Sequence, residues 1–334
     1  MTKFDRIRAS APGGPDGSSW PQSVSVTTRA RLHFGFFDPS GQGAQPFGSF
    51  GLGLDRPVTA LRLTRAENLT VSGPESERAS AYLTRLADLS GRDCNFSLQI
   101  DSAIPSHSGL GSGTQLALAV GAAFAHIEGL ALTPREIAST LDRGRRSGIG
   151  IGTFAHGGVV IDDGPSGGDL PVVLARADFP ETWRVMLIFD PDCKGLHGSN
   201  ELEAFATAPA FPDAESARLK QRSLHSALPA LADGSFDRFC ETIGHLQSVM
   251  GVYFAPYQGG PLVSEKVSAA VHWLRSEGYK GVGQSSWGPT GYAILPSEQD
   301  AERLLSEAEK RSGFASLRFE IARGCNEGAL IECT

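Results

Sequence analysis

The chain has 334 residues, more than one ordinary domain, which predicts two domains or lobes. It is 40% hydrophobic and 20% charged, the composition of a globular protein with a sizeable core. A formal net charge of −7 argues against a general nucleic-acid or acidic-membrane binder, which needs a broad basic face, although local arginine clusters can still bind phosphate.

Cys94, Cys193, Cys240, Cys325 and Cys333 lie far apart without metal-ligand spacing and read as reduced thiols in a cytosolic protein. The N-terminus mixes charge with Gly, Pro and Ser, so no signal peptide is expected. The most apolar run, residues 116–132, is interrupted by His126 and Glu128 and falls short of the ~20 apolar residues of a membrane span. The expectation is a cytoplasmic protein acting on small molecules, with no nucleic-acid or membrane partner. A homodimer is compatible with this reading.

Residues 1–22 read as a disordered tail. Residues 23–28 and 31–36 read as strands, and residues 58–64 alternate with the period of two of a half-buried strand. A helix is predicted over 77–89, from Ala81, Leu83, Leu86 and Leu89, and another strand over 95–100. Residues 116–127 form a helix of small residues suited to close packing on a sheet. Thr133, Pro134 and Glu136 make a capping box for a helix running to about Arg143, and residues 157–162 resemble a strand.

The second half begins with an apolar strand over 183–189, then helices over 214–231, 236–250 and 263–276. A strand at 281, strand 292–295, helix 298–311 and strands 317–321 and 329–332 follow. This order predicts an α+β sandwich with a lobe boundary in the turn cluster at 164–168, giving lobes of 23–166 and 167–334.

Four clusters carry chemistry. Residues 104–115, I-P-S-H-S-G-L-G-S-G-T-Q, precede a helix whose unpaired N–H groups and partial positive charge attract an anion. Gly109, Gly111 and Gly113 allow close backbone approach, and Ser106, Ser108, Ser112 and Thr114 offer hydroxyls. The loop is neither a G-x-x-x-x-G-K-[ST] nor a G-x-G-x-x-G motif.

Arg143, Arg145, Arg146 and Ser147, with His156 beyond, make a candidate phosphate clamp; a helix C-terminus alone would also favour Arg143. Gln284, Ser285, Ser286, Trp287 and Thr290 lie in a loop longer than a hairpin needs, where Trp287 either stacks on an aromatic ligand or fills a core gap. Arg31, His33, Phe34 and Asp38 lie on or beside an early strand, with His33 a candidate base and Asp38 either a metal ligand or a turn starter. Lys194, His197 and Ser199 form a weaker polar set.

These clusters, in this order from Val24 to Cys333, resemble the GHMP superfamily of small-molecule kinases. The resemblance implies a two-lobed α+β fold, with an N-terminal mixed α+β lobe, a C-terminal ferredoxin-like sandwich and the active site between them. Many such kinases carry an Asp after the central S-G, where this chain has Ser147, Gly148, Ile149 and then Gly150. Together R-L-H-F-G, G-R-R-S-G-I-G-I and G-Q-S-S-W-G-P-T resemble the non-kinase branch, the β-ribofuranosylaminobenzene 5′-phosphate synthases.

That branch implies condensation of 4-aminobenzoate with phosphoribosyl pyrophosphate, with loss of pyrophosphate and carbon dioxide, in tetrahydromethanopterin biosynthesis. On this resemblance the loop amides, Arg145, Arg146 and Mg²⁺ would hold the diphosphate. Trp287, Phe34 and Arg31 would orient the benzoate, with His33 on its amine or the sugar hydroxyls. Arg31, His33, Arg146, Gln284 and Ser285 are the catalytic candidates. An ATP-dependent kinase of the same superfamily and a non-catalytic binder on the same scaffold are the alternatives.

Overall fold

A computed structural model describes residues 21–195 and 198–334. Most of the tail expected over 1–22, together with His197, lies outside the described residues, as does the side chain of Ser199.

The first strands predicted are one long strand, β1 (Ser23–Asp38), paired antiparallel with an equally continuous β2 (Phe47–Arg65). Apolar side chains on β1 alternate in its first half, as in a half-open sheet, and are buried on both faces beyond Arg31. The second half is covered on both sides, so alternation there carries no signal. β3 (Thr70–Ser72), helix α1 (Ser76–Ser90) and β4 (Phe96–Ser102) follow.

Helix α2 (Ser112–Ile127) starts at Gly111 and is buried along most of its length, as its small residues predict. Helix α3 (Pro134–Thr140) carries the expected capping box, with Thr133 and Glu136 exchanging hydrogen bonds. It ends at Thr140 rather than near Arg143, because Asp142 and Gly144 take left-handed conformations. The arginines therefore sit on a loop, and the run I-G-I-G-T-F-A-H forms a further helix, α4 (Ile149–His156). β5 (Val159–Asp162) and β6 (Val173–Ala177) complete this stretch.

The second half supplies β7 (Arg184–Phe189), α5 (Ser199–Thr207), α6 (Asp213–Arg222), α7 (Leu228–Ala232), α8 (Phe236–Gln258) and α9 (Glu265–Ser276). It closes with β8 (Val282–Gln284), β9 (Gly291–Leu295), α10 (Glu298–Glu309), β10 (Arg318–Ala322) and β11 (Leu330–Cys333). The helix predicted over 214–231 is interrupted by a π-turn at Ser223–Ala227.

The four-stranded sheet has the order β10-β7-β9-β8, all antiparallel, and its strand–helix–strand–strand–helix–strand sequence is ferredoxin-like. The fold is thus the two-lobed α+β architecture expected. The boundary is not at 166/167, however. β6 pairs with β5 and β11 pairs with β1, so both belong to the seven-stranded sheet of the first lobe. Pairing partners so distant in sequence leave no trace in local composition.

Three core clusters hold the molecule together. One lies between the large sheet and α1, α2 and α3, and another between the small sheet and α9 and α10. The third joins the lobes, with Phe34, Phe50, Phe179, Trp183, Phe239 and Tyr292 among its residues. Val24 and Val26 belong to the helix-side cluster, yet Ala30, Leu32 and Phe34, of the same parity, belong to the inter-lobe cluster. Irregularities in the β1–β2 register between Arg29 and Arg31 and between His33 and Gly35 accompany this change of face. They aim Arg31 and His33 at the cavities described next.

Candidate active site

Three loops converge at the end of β1. Gly109 has φ +77°, and a Cβ there would lie 2.2 Å from the Ser285 carbonyl oxygen, so only glycine lets the early and late loops touch. Ser285 ties them together: its hydroxyl donates to the Gly109 carbonyl at 2.8 Å and accepts the His33 amide at 3.0 Å. Ser286 in turn donates its amide to the His33 carbonyl at 3.1 Å. Gly195 donates to the His107 carbonyl at 3.2 Å, bringing in the loop after β7.

Two cavities meet at this junction. The larger, about 530 Å³, is lined by Arg31, Arg143, Arg145 and Arg146, with Thr114, Ser147 and Gly150 at the ends of α2 and α4. Asp142 and Glu201 are the carboxylates in its lining. The smaller, about 30 Å³, is lined by Phe34, Gly35 and three glutamines, Gln247, Gln258 and Gln284, with Met250, Phe254 and Pro261. His33, Phe36, Ser286 and Trp287 line both and form the wall between them.

His33 is 2% exposed and packs against Phe36, with ring centroids 4.6 Å apart and the rings tilted by 58°. Neither of its ring nitrogens has a hydrogen-bond partner among the described residues. Burial, and then the Arg31 charge, hold its pKa well below 6.5, so the imidazole is neutral at neutral pH. An unsatisfied buried donor and acceptor cost free energy unless a ligand meets them.

Arg31 donates to the Gly109 carbonyl, and burial pulls its pKa down to about 10 against the opposing charge of Glu201; it remains cationic at neutral pH. Arg146 donates to Glu201 at 2.8 Å and lies over the Phe205 ring at 4.3 Å. Arg143 donates to the Tyr82 hydroxyl and its guanidinium lies over that ring.

The predicted residues thus divide. Arg31, His33, Thr114, Arg143, Arg145, Arg146, Ser147, Ser286 and Trp287 line the cationic cavity, and Phe34 and Gln284 the smaller one. Arg145 does so with a largely exposed side chain, 75%, paired with Asp142. Ser285, Gly109 and Gly111 shape the junction.

Ser106 and Ser108 are corrected to structural roles, because their hydroxyls donate to Glu75 at 2.5 Å and to the Pro105 carbonyl at 2.7 Å. Ser112 and Gly113 open α2, where a Cβ on Gly113 would face Arg78 and Arg143. Thr290 is fully buried in neither cavity wall. His156 is exposed at the far end of α4, beside Arg176 and Glu327, outside both cavities. Asp38 lies outside both cavities and closes a turn: Oδ1 accepts from Ser40 and Oδ2 from the Gly43 amide at 2.9 Å.

Sequence reasoning missed Asp142, Glu201, Phe205 and the face of α8 that carries Gln247, Met250, Phe254 and Gln258. The last had a signal. Glutamines at helical spacing within an otherwise apolar stripe are costly in a core and suit a polar-tipped slot.

Fold and site together define a GHMP-type protein. The family model for the N-terminal domain of GHMP kinases matches residues 77–158, and that for their C-terminal domain matches residues 227–313. Homoserine kinase from Cytophaga hutchinsonii superposes with a TM-score of 0.66 at 15% identity, covering 94% of this chain and 99% of that one. Mevalonate diphosphate decarboxylase from Staphylococcus aureus gives 0.65 at 17% identity, covering 93% and 98%. These likenesses carry the fold.

Sequence relatives carry more. Beta-ribofuranosylphenol 5'-phosphate synthase of Archaeoglobus fulgidus is 32% identical, covering 92% of this chain and 99% of the relative. The protein of that name from Methanothermobacter thermautotrophicus is 28% identical, covering 92% and 98%. The chain belongs to this synthase family of the GHMP superfamily, and it is an enzyme of the β-ribofuranosylaminobenzene 5′-phosphate synthase type. Among the described residues no helix is long and apolar enough to cross a membrane.

Proposed function

We infer that the enzyme condenses phosphoribosyl pyrophosphate with 4-aminobenzoate, releasing pyrophosphate and carbon dioxide and forming a carbon–carbon glycosidic bond, within tetrahydromethanopterin biosynthesis. The observation that carries this reading is the shared wall. A polycationic cavity and an aromatic, amide-lined slot meet at His33, Phe36, Ser286 and Trp287. A charged sugar diphosphate and an aryl carboxylate need two such compartments touching at the reacting carbons.

The bond from the sugar C1 to the diphosphate oxygen breaks with its electron pair on oxygen. Arg31, Arg143 and Arg146 supply the positive charge that stabilises the leaving group. The ring carbon bearing the carboxylate gives its π pair to C1. The bond to the carboxylate then returns a pair to the ring as carbon dioxide leaves, restoring aromaticity without a general base.

This agrees with Gly150 at the position where many kinases of the superfamily carry Asp; a Cβ there would lie 3.0 Å from the Thr114 methyl. Neutral His33 offers one donor and one acceptor at the junction, for the sugar hydroxyls or the ring substituent. A volume near 30 Å³ holds about two waters. A benzoate ring therefore enters by displacing the Met250–Phe254 face of α8 or Trp287.

Mg²⁺ belongs to the same reading. No cluster of three or more His, Cys, Asp or Glu side chains that could hold a metal is found among the described residues. Mg²⁺ commonly takes one or two carboxylates and completes its shell with substrate phosphates and water. Asp142 and Glu201 fit that limited part, and the ion would add charge neutralisation at the diphosphate.

The relatives are named for a ribofuranosylphenol, which makes 4-hydroxybenzoate the competing ring. Carboxyl-labelled 4-aminobenzoate and 4-hydroxybenzoate, each given with Mg²⁺ and phosphoribosyl pyrophosphate, decide between them. Labelled carbon dioxide from the amino compound is expected. Release from the hydroxy compound alone would move the assignment, and release from neither, with ADP formed from ATP instead, would return the enzyme to the kinases.

A further inference from the structure

Beneath the cationic cavity lies a polar line that none of the steps above uses. Ser49 on β2 stands opposite Asp162 on β5 in the antiparallel register, and both side chains are fully buried. The Ser49 hydroxyl donates to Asp162 Oδ2, which also accepts the Gly148 amide at 2.9 Å, while Oδ1 accepts the Gly164 amide at 2.8 Å. Ser49 Oγ also lies 2.7 Å from Ser147 Oγ, and Ser147 lines the cavity. Cavity, Ser147, Ser49 and Asp162 thus form one continuous file that ends on a buried carboxylate.

Counting protons fixes the direction of that file. A hydroxyl has a single proton to give. While Asp162 is ionised, the Ser49 proton is committed to the carboxylate. The contact between the two serines is then a hydrogen bond only if Ser147 supplies the proton. Ser147, whose oxygen also accepts the Ile149 amide at 3.3 Å, therefore points its proton inward and shows only an acceptor to a cavity whose arginines attract anions. A phosphate oxygen arriving there meets an acceptor where it needs a donor, and reversing the file takes one added proton at Asp162.

We propose that Ser147, Ser49 and Asp162 form a proton relay: when a phosphate group binds at Ser147, Asp162 takes up one proton from solvent and the two serines reverse, so that Ser147 donates to the anion. The proposal rests on the reading of this cavity as a diphosphate site, and it makes Asp162 a positioning residue that acts through Ser49. Burial already pushes the Asp162 carboxyl up to about 6, against hydrogen bonds from Ser49, Gly164 and Gly148, so a modest push suffices at neutral pH. The neighbouring Asp163 charge favours the proton, and Lys220 pairs with Asp163 from α6. A bound anion beside Ser147 adds negative charge that further favours the protonated carboxyl. Anion and proton therefore bind cooperatively.

Titration calorimetry with inorganic pyrophosphate near pH 7, in two buffers of different ionisation enthalpy, counts the protons taken up. Pyrophosphate's own titration is common to wild type and Ser49→Ala, so the difference between them isolates the relay. Wild type is expected to take up close to one more proton per pyrophosphate. Its affinity should also rise more steeply than that of the variant as the pH falls from about 7.5 to 6, by up to ~10-fold per pH unit. A protonated-carboxyl band should appear in the infrared difference spectrum of wild type on adding pyrophosphate, a readout that needs no variant. Equal proton counts without that band would overturn the relay alone, leaving an acid phosphate that donates its own proton to Ser147. A protein that binds no pyrophosphate overturns the cavity reading and the relay with it.

Discussion

The two compartments on either side of the His33–Trp287 wall are built by opposite strategies. The cationic cavity of about 530 Å³ is roomy, its arginines come mostly from one loop between α3 and α4, and their charges are held by carboxylates and aromatic faces. The slot of about 30 Å³ is small, and its amides are tied to one another and to backbone: Gln284 to Gln258 at 3.2 Å, and the Val263 amide to Gln284 at 2.8 Å. A strongly hydrated diphosphate needs space, water and replaceable counter-charges. An apolar ring needs a dry surface that opens only for it. The difference teaches that the first site draws most of its positive charge from one short stretch of sequence, whereas the second arises from packing between distant elements.

Breaking the cationic side should have the largest effect. Arg146→Ala removes a half-buried cation and leaves Glu201 facing the diphosphate, so kcat/KM for phosphoribosyl pyrophosphate should fall by ~10²–10³. The KM for the benzoate should stay within a few-fold of wild type. Steady-state kinetics varying each substrate in turn checks this, and equal losses for both would reject the clamp.

The floor of that cavity should respond to pH. Asp162 has a raised pKa in the fold, from 3.8 to about 6, so its contribution to stability is fully present below pH ~4 and is lost as the pH rises toward 6. That loss is up to ~3 kcal/mol. Urea unfolding of wild type and Asp162→Asn across pH 4 to 7 measures it. A gap between the two that does not shift toward the variant over this range would contradict the buried titration.

The wall comes next. His33→Phe keeps the ring and removes both nitrogens, so kcat should fall by ~10–100-fold with pyrophosphate affinity unchanged. An equal loss of pyrophosphate affinity would place His33 on the diphosphate instead. The smallest effect sharpens the same contrast: Arg145, mostly exposed and paired with Asp142, should cost less than ~5-fold on mutation to Ala. His156→Ala, outside both cavities, should leave both substrates unaffected.

Much of this was legible in the chain itself. The glycine-rich loop before α2, the capping box of α3, the alternation of β4 and the apolar face of α9 are local patterns set by backbone sterics and hydrophobic periodicity, and they appear where expected. The arginine cluster and the late loop around Trp287 were likewise visible, because charge and glycine density are properties of a short window. Three things were decided only by the tertiary structure. Ser106 and Ser108 became structural because neighbouring acceptors took their hydroxyls. Glu201 and the α8 glutamines entered the site from elements far away in sequence. Finally, β11 closed the first lobe from the far end of the chain, pairing with β1 across about 300 residues. Hydrogen bonds and burial depend on which atoms come near in space, and a linear pattern with a period of two or 3.6 residues cannot encode that.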